Sequence, residues 1–139
     1  MKRISLLLCA IAFCAAAAMA AGRPVGVKQM PKTAQTFIND YWPRVAVLHV
    51  EREDGRYNAM LEDGTAITFN RKGQWLSIDN EYGFPNHFLP EGIGDFIRRQ
   101  YPDSYIAHVS RHTEGHTVVL NTGLELHYDR YGHIQRVDD

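Results

Sequence analysis

Apolar residues recur at helical spacing in two short stretches of the chain, each bounded by prolines. The first stretch runs from Pro31 to Pro43, and the second from Pro90 to Pro102. The apolar positions are Ala34, Phe37, Ile38 and Tyr41 in the first stretch and Ile93, Phe96 and Ile97 in the second. Spacings of three and four residues predict two amphipathic helices. Helices this short are unstable alone in water, so each must pack on the strands that follow it.

After the first helix, four segments with strand-like composition alternate with turns that contain glycine. The predicted strands are Val45–Glu53, Arg56–Glu62, Thr65–Asn70 and Gln74–Asp79. The turns between them are Asp54-Gly55, Asp63-Gly64 and Arg71-Lys72-Gly73. Short strands joined by such turns predict an antiparallel meander.

The whole pattern then returns further along the chain. Residues 31–79 match residues 90–138 without a gap, at an offset of 59 positions (90 − 31). The flanking prolines, the turn glycines and the apolar spacing all recur together, which is the signature of an internal repeat. The sequence therefore predicts an α+β fold of two tandem αββββ repeats, residues 31–79 and 90–139, joined by a linker at 80–89. Each repeat is expected to pack a short helix on one face of a four-stranded antiparallel meander sheet.

Side-chain alternation selects the turn that follows the second strand. A three-residue turn, Glu62-Asp63-Gly64, pairs Leu61 with Thr65 and puts the apolar residues of both strands on one face. That face holds Tyr57, Ala59, Leu61, Ile67 and Phe69 in the first repeat and Val118, Leu120, Leu124, Leu126 and Tyr128 in the second. In this turn the last residue is left-handed, a conformation that glycine adopts without strain. The same alternation extends the core face to Leu48, Val50, Ala107 and Val109.

The opposite face of the predicted sheet is mixed in character. It holds Val47, His49, Met60, Ala66 and Thr68 from the first repeat and Ile106, His108, His112, Val119 and His127 from the second. An antiparallel sheet can leave one face in contact with water, and we expect this face to be the open one.

The N-terminus resembles a secretory signal peptide over residues 1–20, followed by a flexible lead-in at 21–30. Lys2 and Arg3 precede an apolar run, and Ala18-Met19-Ala20 is a typical cleavage site. Cleavage removes both cysteines, so the mature chain is expected to lack disulfides. It also changes the formal charge from −1 to −3, because two cations leave. We therefore expect a periplasmic or secreted protein that binds no nucleic acid and does not stay inserted in the membrane.

Histidine is the residue type that most suggests chemistry, and all seven histidines lie in the mature chain. His108, His112 and His116 have a spacing that suits a metal only on a helix. On a strand, four residues span roughly 13 Å, whereas metal ligands lie about 2 Å from the ion. Structural or solvated histidines are favoured over a metal site, and no cofactor or catalytic residue is predicted. The serines lie in no recognisable nucleophile turn, so an enzyme is not expected.

Aromatic residues cluster where the first repeat ends. They are Trp75, Tyr82, Phe84 and Phe88. One interpretation is that they seal the contact between the repeats; the other is that some are exposed anchors for a partner. A three-residue turn at Arg71–Gly73 buries Trp75, whereas a four-residue turn exposes it and buries Leu76 and Ile78. The candidate partner-binding residues are Trp75, Tyr82, Phe84, His49, Met60, His108 and His127.

These residues together resemble the PepSY-like, beta-lactamase-inhibitor-like secreted proteins of Bacteroidetes. The resemblance is carried by Pro31, Phe37-Ile38, Tyr41-Trp42-Pro43, Asp63-Gly64, Lys72-Gly73, Trp75 and Asp79. The second copy departs from the pattern, with Ile134 in place of Trp75 and Thr122 in place of Asp63. The resemblance implies helices on one side and a concave open sheet that grips a partner enzyme. For PepSY domains in general it implies peptidase inhibition or a sensory role at the cell envelope.

The sequence thus predicts a non-catalytic secreted binding module for an unidentified protein or peptide, such as a peptidase that it inhibits. The alternative is an envelope sensor that binds a metal or small molecule through its surface histidines.

Overall fold

The computed structural model describes residues 22–139, which form two α-helices and nine β-strands. The predicted signal peptide lies outside the described residues. The helices are α1 (Lys32–Tyr41) and α2 (Glu91–Gln100). The strands are β1 (Arg23–Val25), β2 (Val47–Glu53), β3 (Arg56–Leu61), β4 (Ala66–Phe69), β5 (Trp75–Asp79), β6 (Ile106–His112), β7 (Gly115–Leu120), β8 (Glu125–Asp129) and β9 (Ile134–Asp138). The α+β class and the two proline-flanked helices were correctly predicted.

All nine strands belong to one antiparallel sheet, in which spatial order follows chain order from β1 to β9. The expectation of a separate four-stranded sheet in each half is wrong. Strands β5 and β6 pair with each other, and Ile78 lies opposite Val109. Both side chains are fully buried, so this pairing continues the hydrophobic core from one half of the molecule into the other.

The segment before α1 is ordered by the sheet, and the expectation of a flexible lead-in is wrong for residues 23–30. Strand β1 pairs with β2, with Val25 opposite Val50. A 3₁₀ turn follows at Val27–Gln29, and Met30 is buried in the core. Pro24 has no N–H to donate, which an edge strand tolerates. A strand of three residues carries too little alternation to be recognised in the sequence.

The predicted three-residue turns are confirmed in both halves. The backbone N–H of Leu61 donates to the carbonyl of Thr65 at 2.8 Å, and that of Leu120 donates to Leu124 at 2.9 Å. Gly64 and Gly123 end these turns with φ values of +91° and +92°. The core face predicted from these turns is also correct. Its residues are buried, except for Leu124, which is partly buried against the core.

Both helices cover the same face of the sheet, and each buries one stripe against it. The buried helical residues are Ala34 and Ile38 in α1 and Ile93 and Ile97 in α2. The turns at the ends of β4 and β8 support the helix N-termini. A Cβ added at Gly73 would lie 2.8 Å from the Cβ of Pro31, and one at Gly132 would lie 2.9 Å from the Cβ of Pro90. Only glycine allows each turn to pack this closely on its helix.

Strands β2 and β6, which follow the helices, depart from simple alternation, because the register shifts between Val47 and His49 and between Ile106 and His108. A bulge of this kind adds one residue to a strand and inverts the side chains that precede it. Leu48, predicted to be in the core, is therefore 65% exposed. Val47 and Ile106, which were predicted on the open face, pack in or against the core instead, and Ala107 is only partly buried.

A three-residue turn followed by a bulge decides the positions of Trp75 and Ile78. The turn after β4 has three residues, because the N–H of Asn70 donates to the carbonyl of Gln74 at 2.9 Å. The register then shifts, so that Phe69 pairs with Trp75 while Thr68 pairs with Ser77. As a result Trp75 and Ile78 both face the core, a combination that neither of the two regular turns gives.

Candidate functional site

The face of the sheet opposite the helices carries two rows of side chains that run across the strands. We call this surface the uncovered face. The first row is Glu51, Asn58, Thr68, Ser77, Ser110, Thr117, His127 and Arg136, each paired with the next. The second row is His49, Met60, Ala66, Asp79, His108, Val119, Glu125 and Asp138, paired in the same way. Neighbouring positions in a row lie about 4.8 Å apart in the hydrogen-bonding direction.

Four of the predicted binding residues are brought together on the uncovered face. His49, Met60 and His108 belong to one row, and His127 belongs to the other. Met60 is 44% exposed, and His49 is exposed as well. The prediction from alternation is therefore correct about where these four side chains lie. Whether they bind a partner stays a prediction.

A cavity of about 850 Å³ opens where the strands diverge at one end of this face. Pairing between β5 and β6 covers Ser77–Asp79 and stops there, whereas the hairpins β2–β3 and β6–β7 extend further. The cavity is lined by Glu53, Asp54, Arg56, Asn58, Thr68, Leu76, Ser77, Ser110, Arg111 and His112. Its lining combines two carboxylates, two guanidinium groups and several hydroxyl and amide groups, so it suits a polar ligand or protein surface.

Several histidines on the sheet lie beside carboxylates. Nδ1 of His108 is 2.5 Å from Oδ1 of Asp79, and Nε2 of His127 is 3.1 Å from Oδ2 of Asp138. Nε2 of His49 lies 3.1 Å from Oε1 of Glu51. These pairs attract each other when the imidazole is protonated. Within residues 22–139 no group of three or more His, Cys, Asp or Glu side chains is arranged to hold a metal ion.

A serine and a histidine meet inside the cavity without forming a catalytic triad. Oγ of Ser110 lies 3.1 Å from Nε2 of His112, and the same nitrogen lies 3.2 Å from Oγ1 of Thr117. In the part of the chain that is described, no carboxylate contacts His112. An imidazole without an orienting acid is poorly suited to act as the general base of a triad.

The aromatic cluster mostly seals the core. Trp75 is 7% exposed, and its ring packs against Phe88 with the centroids 5.6 Å apart. Phe84 is partly buried against the core. The prediction that Trp75 and Phe84 serve as exposed anchors is therefore wrong, because the three-residue turn before β5 places Trp75 on the core side. Only Tyr82 is freely accessible, with 80% of its surface exposed. Hydrogen bonding to the adjacent Glu81 raises the pKa of its hydroxyl.

Arg111 is a site residue that was not among the predicted binding residues. Its guanidinium lies over the ring of Trp75, with Cζ 4.6 Å from the centroid. Burial lowers the pKa of this guanidinium. Two residues beyond Val109, Arg111 has the parity of a core position. In the sequence, the unusual placement of an arginine at a core-facing position is the signal that could have identified Arg111.

His116 lies directly opposite Arg111 on β7. It is 9% exposed, its ring centroid is 6.0 Å from that of Trp75, and its Nδ1 makes no hydrogen bond. Burial lowers the pKa of His116, and the positive charge of Arg111 lowers it further. The imidazole is therefore neutral near pH 7, beside a cation that is permanently charged.

Neither helix of residues 22–139 has the length and apolar character needed to cross a bilayer.

Comparison with protein families gives a match along most of the chain. The family described as "Putative beta-lactamase-inhibitor-like, PepSY-like" matches residues 19–65 and again residues 55–136. A search among curated proteins gives no match.

Several solved structures share the fold. One, described as a "putative calcium-regulated periplasmic protein" from Bacteroides thetaiotaomicron, is 25% identical with a TM-score of 0.80. The similarity covers 84% of this chain and 96% of that one. A "putative periplasmic protein" from Bacteroides vulgatus is 27% identical with a TM-score of 0.77, over 84% of this chain and 96% of that one. A second protein from Bacteroides vulgatus, described as of unknown function, is 25% identical with a TM-score of 0.77, over 86% of this chain and all of that one.

Proposed function

This chain belongs to the beta-lactamase-inhibitor-like, PepSY-like family, and we propose that it is a non-catalytic periplasmic binding module that receives a protein or peptide on the uncovered face. The observation that carries the proposal is the contrast between the two faces of the sheet. Both helices and the core lie on one side, whereas the other side presents two rows of mostly polar side chains and a cavity of about 850 Å³. A periplasmic location is supported by the solved relatives, which are described as periplasmic.

The chemistry of the uncovered face supports a protein or peptide as the partner. Hydroxyl, amide and charged groups are repeated at the spacing of the strands, and such a surface offers many hydrogen bonds to a partner of matching polarity. The exposed apolar groups that can serve as anchors are Met60, Leu48 and Tyr82. Leu48 and Met60 lie at the end of the sheet where β2 begins, and Tyr82 follows the end of β5 at that same end. These residues replace Trp75 and Phe84 as candidate anchors.

A non-enzymatic role is supported by the polar groups inside the cavity. The Ser110–His112 pair has no acid to orient the imidazole among the described residues, and the family that matches the chain is not described as catalytic. If the partner is a peptidase or another enzyme, the binding module acts by covering the partner's surface. An inhibitor of this kind requires only complementarity, and its own side chains need no shifted pKa for catalysis.

We propose further that the two halves arose as tandem αββββ repeats. Strand β6 begins 59 residues after β2 (106 − 47), and β9 begins 59 residues after β5 (134 − 75). The helices start at Lys32 and Glu91, which are separated by the same 59 positions. Each half also carries a bulge at the same place in its first strand. Duplication explains why the uncovered face has similar rows on both halves.

Capture of the partner from a periplasmic extract tests the proposed binding face. Thr68→Arg or Ser110→Arg introduces a long cation into the middle of the polar row and is expected to abolish capture. Gln100→Arg makes a similar change on α2, on the other side of the sheet, and should leave capture intact. Thermal unfolding confirms that each variant is folded. Equal capture by all three folded variants would contradict the proposal.

A second candidate function is an envelope sensor that binds a metal through surface histidines and carboxylates. It is favoured by the pairs His108–Asp79 and His127–Asp138 and by the description of one solved relative as calcium-regulated. Titration calorimetry of the mature protein with zinc and with calcium distinguishes the candidates. Heat of binding at micromolar metal supports the sensor, and its absence excludes tight metal binding.

A further inference from the structure

A small apolar groove lies on the helix side of the sheet, away from the uncovered face. Its volume is about 250 Å³. It is lined by Thr33, Phe37 and Tyr41 of α1, by Gly73, Gln74 and Trp75 at the β4–β5 turn, and by Arg111 of β6. Arg111 is the one charged residue in this lining. Pockets for drug-sized ligands usually measure about 300–1,000 Å³, so this groove suits a smaller molecule.

The guanidinium of Arg111 lacks an anionic partner. Among residues 22–139, no carboxylate oxygen comes within 4 Å of it, since every ion pair found there involves other residues. Glu53 and Asp54 line the larger cavity, which Arg111 also lines, but neither pairs with it. A half-buried cation is normally paired, because removing it from water is costly. Stacking on Trp75 offsets only part of that cost.

The position of Arg111 in the sheet leaves it accessible. Pairing between β5 and β6 ends at Ser77 and Ser110, so the two strands separate before Arg111 is reached. The corresponding residue of the first half, Arg52, is exposed and lies over Tyr57 with Cζ 5.4 Å from the ring centroid. Arg52 does not line the groove. The two arginines thus occupy equivalent positions, but only Arg111 has aromatic walls of α1 beside it.

We propose that this groove binds a small carboxylic acid that carries one aromatic or branched apolar group. The carboxylate pairs with the guanidinium of Arg111, and the apolar group contacts Phe37, Tyr41 and Trp75. Arginine favours this ligand because its planar fork matches the two oxygens of a carboxylate. The groove shares Arg111 with the larger cavity, but its aromatic lining lies on the helix side, and the proposal does not rest on the proposed partner.

Titration with matched probes tests the chemical class of the ligand. The probes are 3-phenylpropionate, its neutral amide 3-phenylpropanamide, and acetate, each followed by calorimetry and by NMR of the full mature chain. We expect 3-phenylpropionate to bind about 10-fold to 100-fold more tightly than the amide, which is the range for loss of a charge-assisted hydrogen bond. Acetate is expected to bind more weakly still, because it lacks the apolar group. Equal binding of the acid and the amide would overturn the proposal.

Two variants connect the binding to Arg111. Arg111→Gln is expected to lose at least about tenfold in affinity for 3-phenylpropionate, whereas the matched control Arg52→Gln keeps the affinity of the parent. Thermal unfolding of both variants shows whether they are folded. If Arg111→Gln fails to fold, Arg111→Lys, which keeps the charge but loses the planar fork, takes its place and is expected to bind more weakly than the parent. A folded Arg111 variant with unchanged affinity would overturn the proposal.

His116 provides an independent readout of the same event. The positive charge of Arg111 contributes to lowering the pKa of His116, so a bound carboxylate that neutralises this charge should raise that pKa. Titration of the imidazole by NMR, with and without 3-phenylpropionate, measures the change. An unchanged His116 pKa at saturation would contradict the proposed contact.

The dipeptide Gly-Phe distinguishes two sources of the carboxylate. Tighter binding of Gly-Phe than of 3-phenylpropionate identifies a peptide C-terminus as the source, and the reverse identifies a free acid.

Discussion

Ile78 and Val109 lie opposite each other on β5 and β6, and both side chains are completely buried. This pair connects two halves that each contain one helix and the four strands that follow it, with β1 added at the edge of the first half. The core is therefore shared, and neither half has an apolar surface that ends at the boundary. Stability should be a property of the whole sheet.

Truncation of Val109 tests this sharing. Val109→Ala removes two methyl groups from the core and is expected to lower the free energy of unfolding by about 2 kcal/mol. Both halves should lose stability together. Hydrogen exchange of backbone amides measures this, using Val50 in the first half and Leu126 in the second. Loss of protection at Leu126 alone would contradict a single cooperative unit.

The bulge in β2 predicts that truncation to alanine lowers the free energy of unfolding much less at Leu48 than at Val50. Leu48→Ala should change the free energy of unfolding by no more than about 0.5 kcal/mol, because Leu48 is exposed. Val50→Ala should cost about 2 kcal/mol, because Val50 is 1% exposed. Urea denaturation of both variants gives the comparison. A cost of about 2–5 kcal/mol for Leu48→Ala, the range for a core leucine, would mean that the strand has no bulge.

The close packing of the β4–β5 turn on α1 predicts that alanine lowers stability more at Gly73 than at Gly64. Gly64 and Gly73 both have positive φ values, of +91° and +84°, so alanine is strained at either position by about 1–2 kcal/mol. A Cβ at Gly64 would meet nothing within 4 Å, whereas one at Gly73 would lie 2.8 Å from Pro31. Gly73→Ala should therefore cost about 1–3 kcal/mol more than Gly64→Ala.

Denaturant unfolding of the two glycine variants measures this difference directly, because the backbone strain is common to both. Equal costs would show that the turn does not pack against the start of the helix.

The buried position of His116 predicts how the stability of the folded protein changes with pH. Burial, together with the charge of Arg111, lowers its pKa in the folded state, so the unfolded chain takes up a proton first. Its contribution to stability is complete above the unfolded pKa of about 6.5 and is lost as the pH falls through the folded pKa. Relative to His116→Phe, the parent protein should therefore lose stability on acidification from pH 7.5 to 5.

Urea denaturation of the parent protein and of His116→Phe over the same pH range measures this difference. If the His116→Phe difference were constant from pH 7.5 to 5, the folded pKa of His116 would not be lowered.

The spacing of apolar residues predicted the helices, eight of the strands and the turns at Gly64 and Gly123. It also predicted the core face that follows from these turns. It failed at Leu48, where one residue is added to a strand, because an inserted residue leaves no mark in the pattern. Strand β1 was missed because three residues are too few. The pairing of β5 with β6 depends on how the halves assemble, which no local pattern records.

The sequence predicted the side of the sheet correctly for only some of the candidate binding residues. His49, Met60, His108 and His127 were placed correctly on the uncovered face, since the bulges in β2 and β6 invert only the side chains that precede His49 and His108. Trp75 was not placed, because the sequence left open whether a three-residue or a four-residue turn precedes it. The contact between Arg111 and Trp75 joins different strands of the two halves, so only the assembled sheet reveals it.

Site-specific photo-crosslinking in living cells tests the proposed binding face most directly. A photoreactive amino acid replaces Thr68 or Ser110 on the uncovered face, and Gln100 or Lys32 on the helices as controls. We predict one crosslinked protein or peptide of constant identity from the two sheet positions and none from the helix positions. Crosslinks from the helix positions alone, or no crosslink from either sheet position, would contradict binding on the uncovered face.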